Sequence, residues 1–74
     1  MTLDQIEAGR TALVTEIIGG FRIRQRLNCL GLHRGDRIRV KRSGIMGGPI
    51  LVELNGTEVA IGRGMAKKIV VTLS

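Results

Sequence analysis

Hydrophobic positions along this chain change period from one segment to the next. From Thr11 to Ile18 the run TALVTEII is rich in β-branched and aliphatic residues and predicts a strand. Strict alternation places Ala12, Val14 and Ile18 on one face and Leu13 and Ile17 on the other, enough to be covered on both sides. After Gly19-Gly20 the period becomes helical: Ile23, Leu27 and Leu30 form one apolar stripe over residues 21–30. Only glycine is available to cap the start of that helix. Gly31 stands where a left-handed residue would end it, and Leu32 can fold back onto Leu27, the contact of a Schellman stop. His33, Arg34 and Gly35 make a second turn. From Asp36 to Arg42 the period is two, with Arg37, Arg39 and Lys41 facing one way and Ile38 and Val40 the other.

The remaining segments are short and of strand type. Ile50 to Leu54 has Ile50, Val52 and Leu54 inward, Asn55-Gly56 predicts a type I′ hairpin turn, and Thr57 to Ile61 is the return strand. Residues 62–68 fit a single helical turn, and Ile69 to Leu73 closes the sheet with Ile69, Val71 and Leu73 inward. At the N-terminus, Thr2 and Gln5 have the spacing of a capping box over one turn, with Leu3 and Ile6 as a plug for the core. The expected fold is mainly β: a small barrel of about five strands, with one short helix between the first and second strands. A helical turn before the last strand gives that barrel an SH3-like character.

Length limits the rest. The 74 residues make one small domain, residues 1–74, which buries about 60% of its unfolded surface. Phe21 is the lone aromatic, so the core is expected to be aliphatic. Cys29 is the lone cysteine, which excludes an intramolecular disulfide and fits a reducing cytosol. Asp4 and Glu7 interrupt the N-terminus before any apolar run, so no signal peptide is expected, and a membrane is met only peripherally. Weak homo-oligomerisation would add to the modest stability of so short a chain.

Charge changes the picture most. A net charge of +6 and a pI of about 11.2 favour an anionic partner. Two basic surfaces are predicted. Arg37, Arg39 and Lys41 form a stripe on one strand face, while Arg22 and Arg26 share a helix flank with Arg24 on the other side. Glu53 and Glu58 are placed to offset part of the stripe across neighbouring strands. The glycine-rich loop 43–49 adds Met46 and Pro49 as adaptable apolar contacts.

Catalytic chemistry has little support. The six carboxylates are scattered, His33 is the lone histidine, and no Ser-His-Asp arrangement is evident, so neither catalytic residues nor cofactors are expected. Gly62-Arg63-Gly64 lacks the βαβ unit that a dinucleotide fingerprint requires. Cys29 and His33, four apart, would share a face on a continuous helix, but Gly31 intervenes and two ligands are too few for structural zinc. They are the candidate metal pair, and no metal site is expected.

Taken together, Gly19-Gly20, RLNCLGLHRGDRIRV, GIMGGPILVELNG and VAIGRGMAKKIVV resemble the FeoA family of ferrous iron transport protein A, over nearly the whole chain. The resemblance implies a stand-alone SH3-like barrel in the bacterial cytoplasm. It also implies an accessory role beside a membrane ferrous-iron transporter that carries a GTPase domain. A related barrel closes some metal-dependent repressors. The family's loop often has an acidic or polar residue where this chain has Gly48, which removes any contact made by that side chain. The resemblance carries over no catalytic residues. The expected function is therefore regulatory binding to the transporter's GTPase part through Arg22, Arg26, Arg37, Arg39, Lys41, Met46 and Pro49. The alternative is a basic barrel that binds nucleic acid through phosphate contacts. The lack of Trp and Tyr argues against base stacking and against proline-groove or methyl-lysine recognition.

Overall fold

In the computed structural model, which describes residues 1–43 and 47–74, five antiparallel strands form a single sheet in the order β4-β3-β2-β1-β5. The strands are β1 (Thr11–Ile17), β2 (Arg37–Arg42), β3 (Ile50–Leu54), β4 (Thr57–Ile61) and β5 (Ile69–Leu73). Helix α1 (Phe21–Cys29) connects β1 to β2, and a one-turn helix α2 (Arg63–Ala66) connects β4 to β5. This is the expected mainly-β, SH3-like plan with one short helix between the first two strands. Curvature of the sheet gathers side chains from every strand into one aliphatic core. Val14, Ile38, Val40, Ile50, Val52, Ile61, Ile69 and Val71 are buried, and no polar or charged side chain is buried among the described residues.

The ends of the sheet are dressed differently. A 3₁₀ turn over Leu3–Gln5 plugs one opening with Leu3 and Ile6. The Thr2 backbone N–H donates to Gln5 Oε1 at 2.9 Å, as the capping spacing requires, and the Thr2 hydroxyl donates to the Asp4 carboxylate. Thr2 also bridges Val70, and Val71 N–H donates to the Met1 carbonyl at 2.8 Å, so the N-terminal segment covers part of the β5 edge. At the other end, Asn55 (φ 53°) and Gly56 (φ 82°) both have the positive angles of a type I′ turn.

Helix α1 ends as its sequence predicts. Gly31 has φ 84°, its N–H donates to the Asn28 carbonyl at 2.9 Å, and Leu32 N–H donates to the Leu27 carbonyl at 2.9 Å. These are the two bonds of a Schellman motif, and the fully buried Leu27 and Leu32 form its hydrophobic contact.

Three inward assignments are corrected. Ile17 is buried and Ile18 exposed, the reverse of simple alternation. A bulge lies between Val14, paired with Val71, and Glu16, paired with Val70, and the extra residue Thr15 moves everything after it by one. The strand is accordingly buried on one face, not two. Leu30 leaves the helical stripe because it is the C-cap residue, and Leu32 takes its place in the core. Leu73 shares a face with the buried Ala12 opposite it but is 43% exposed, because it lies at the strand end on the barrel rim.

Candidate functional site

The β2 ladder holds the basic stripe in a fixed order. Ile38 and Val40 are buried, which forces Arg37 and Arg39 onto the outer face. Lys41 is the extra residue of a bulge between Val40 and Arg42 and reaches Glu53 on that face. Register sets their neighbours: Arg37 stands opposite Leu13, and Arg39 lies between Thr11 on β1 and Glu53 on β3. Lys41 Nζ lies 4.0 Å from Glu53 Oε1, so Glu53 engages one member of the stripe. Glu58 faces Glu53 across β3–β4, one carboxylate opposite another. The predicted offset is thus partial. Arg37 and Arg39 make no ion pair among the described residues.

Helix α1 presents its arginines to two different grooves. Arg26 lines a groove of about 390 Å³ with Leu30, Ala60, Ile61, Gly62 and Met65. Arg24 lines another, of about 280 Å³, with Glu16, Ile17, Asn28, His33 and Arg34. Arg22 is exposed one turn before Arg26 on the same flank. The Arg26 groove lies over β4 and α2, two strands from β2 in the sheet order, so the helix flank and the strand stripe are separate surfaces. Pro49 is exposed at the start of β3. Met46 lies outside the described residues.

The turn that joins α1 to β2 is held on both sides. Asp36 N–H donates to the His33 carbonyl at 3.1 Å, and the Asp36 carboxylate accepts the His33 backbone N–H at 2.7 Å. Gly35 N–H and the Val14 carbonyl, and Val14 N–H and the Asp36 carbonyl, stitch this turn to β1 at 2.7 and 2.8 Å. His33 Nδ1 is 3.6 Å from Asp36 Oδ2. Cys29 belongs to the last turn of α1 and is exposed, with the left-handed Gly31 between it and His33. Among the described residues no group of three or more His, Cys, Asp or Glu side chains is placed to hold a metal ion. No helix among them is long and apolar enough to cross a membrane.

The architecture and the motif positions meet in one comparison: the FeoA domain family model matches residues 1–73. The chain belongs to the FeoA family. A Methanocaldococcus jannaschii protein named for Fe(2+) transport (transport protein A) is 36% identical over 63 residues, which cover 85% of this chain and 74% of that one. The crystal structure of an iron uptake regulatory protein, FeoA, superposes with a TM-score of 0.91 at 34% identity, covering 100% of this chain and 96% of that one. The solution structure of FeoA from Chlorobium tepidum gives 0.87 at 37% identity, covering 99% and 70%. The manganese regulator SloR shares the fold, with a TM-score of 0.89 at 18% identity, over 34% of its length. Family membership associates the chain with ferrous-iron transport.

Two surface features of this FeoA-family chain escaped the sequence reading. The Leu30–Met65 groove joins segments more than thirty positions apart and leaves no local signal. The exposure of Phe21 does leave one. It lies about 200° around the helix from Ile23, at 100° per residue, and therefore off the buried stripe.

Proposed function

We propose that this chain is a docking module, with no reaction of its own, that binds the cytoplasmic GTPase part of a membrane ferrous-iron transporter. The observation that carries this reading is the outer face of β2: Arg37 and Arg39 stand exposed on a laddered strand and, among the described residues, have no ion pair to occupy them. Guanidinium groups with no ion pair to break recognise carboxylates directly, and their planar donors favour bidentate contact. The Arg22–Arg26 flank, with the groove beside Arg26, supplies a second contact of mixed polar and apolar character. Pro49, exposed beside the start of β3, extends the surface. Family membership supports the partner class, and the cytoplasm is where that GTPase part lies.

The test is a binding titration against the isolated cytoplasmic part of the transporter, with GDP and with a non-hydrolysable GTP analogue. Binding should weaken with salt, and Arg37→Glu combined with Arg39→Glu should weaken it by at least about tenfold, as for charge-assisted pairs. Absence of binding in both nucleotide states at low salt refutes the reading. A steep, salt-dependent gel shift with duplex DNA or RNA would instead favour phosphate-directed nucleic-acid binding.

A further inference from the structure

Phe21 is 77% exposed and Ile18 is 47% exposed. Both stand at the end of the sheet where α1 begins. The bulge at Thr15 turns Ile18 outward, and Phe21 is the first residue of the helix, on the side away from Leu27. Ile18 N–H donates to the Lys68 carbonyl at 2.7 Å, which brings the α2–β5 turn, with Lys67 and Lys68, against the same tip. Arg22 follows Phe21. Arg22, Lys67 and Lys68 are exposed and make no ion pair among the described residues. Glu16, the carboxylate closest in sequence, lines the groove that holds Arg24 and Arg34. Neither Ile18 nor Phe21 lines either α1 groove.

We propose that this tip is a peripheral membrane site, in which Phe21 and Ile18 enter the interface of an anionic bilayer and Arg22, Lys67 and Lys68 engage headgroup phosphates. An apolar point ringed by cations is complementary to a deformable anionic surface, whereas a protein partner would have to provide a matching hollow. Either signal alone gives marginal attachment, and the two together give reversible binding. The net charge of +6 draws the whole chain toward such a surface. The site shares Arg22 with the docking flank above, but its test is separate: vesicles contain no transporter, so each reading can fail alone.

The chain has no Trp or Tyr, so Phe21→Trp introduces a single reporter at the tip. With vesicles of equal parts phosphatidylglycerol and phosphatidylcholine, its emission should shift to the blue and be quenched by brominated lipid. Phosphatidylcholine alone should do neither. In co-sedimentation, the full chain should partition onto the anionic vesicles at low salt and leave them as salt rises. Phe21→Ser should lower partition at least about tenfold, and Lys67→Gln and Lys68→Gln about fivefold each. All three positions are exposed, and far-ultraviolet circular dichroism verifies that each variant is folded. The proposal is overturned if the wild type stays in the supernatant with anionic vesicles at low salt. It is overturned equally if Phe21→Ser binds like the wild type, which would mean adsorption by charge alone. Loss of transporter binding by Phe21→Ser, with vesicles ignored, would assign the tip to a protein partner instead.

Discussion

Two glycines predict opposite responses to one substitution. Gly31 holds φ 84° at the Schellman stop of α1, and a Cβ built there meets nothing within 4 Å. Crowding therefore adds nothing, and the cost of Gly31→Ala is that of the left-handed backbone, about 1–2 kcal/mol. Gly64 lies inside α2 without a positive φ, and its Cβ also meets nothing within 4 Å. There alanine adds helix propensity and restricts the unfolded chain, which stabilises by about 0.5–1 kcal/mol. For a domain this small, 1 kcal/mol moves Tm by about 4–8 °C. Thermal melts followed by circular dichroism should therefore place Gly31→Ala at least about 4 °C below the wild type and Gly64→Ala about 2 °C or more above it. Urea titrations should agree, with unchanged slopes. A Gly31→Ala melt at or above that of the wild type would refute the cap assignment, and a Gly64→Ala melt below it would refute the helix-propensity argument.

The exchange of Leu30 for Leu32 in the core predicts that Leu32→Ala costs about 2–5 kcal/mol, whereas Leu30→Ala, at a 39% exposed site, costs no more than about 1 kcal/mol. Denaturant midpoints of the two variants separate these values, and equal losses would restore Leu30 to the buried stripe. Glu53 and Glu58 face each other across β3–β4, so Glu58→Lys should stabilise by up to about 1 kcal/mol at low salt. The gain should fade as salt rises. A salt-independent effect in urea melts would mean that the like-charge pair is not its source.

The legible parts of this fold are those governed by local rules. Asn55-Gly56 specifies its turn through backbone angles alone, and Gly31 with Leu32 specifies a helix stop through two bonds and one contact. Alternation in β2 gave the outward stripe because no extra residue interrupts it before Val40. In β1, Thr15 adds a residue that pairing with β5 accommodates as a bulge, and nothing within TALVTEII announces it. Leu73 lies on the correct face, but depth within the barrel depends on where the neighbouring strands end. The proposed docking surface divides in the same way. Arg37 and Arg39 follow from period two, whereas the pairing of Lys41 with Glu53 requires the β2–β3 register. The groove beside Arg26 requires the whole chain to be folded. Phe21 was legible from helix phase, yet its outward position runs against the usual burial of a lone aromatic.

If the chain is the docking module proposed above, it can alter its partner's GTPase only by binding that partner's conformational states unequally. A tenfold bias needs a difference of about 1.4 kcal/mol, the scale of one charge-assisted contact made in one state and lost in the other. Because no charged side chain is buried among the described residues, Arg39→Gln removes such a contact with little effect on the fold, within about 0.5 kcal/mol for a surface substitution. Affinities measured for the GDP-bound and GTP-analogue-bound partner then distinguish two roles for β2. If Arg39 reads the state, the ratio of the two affinities should move toward unity as the tighter one weakens. If both affinities fall together and the ratio holds, the stripe is an anchor. In that case state discrimination must come from a surface that β2 does not control, of which the Arg26 groove over β4 and α2 is the next to vary.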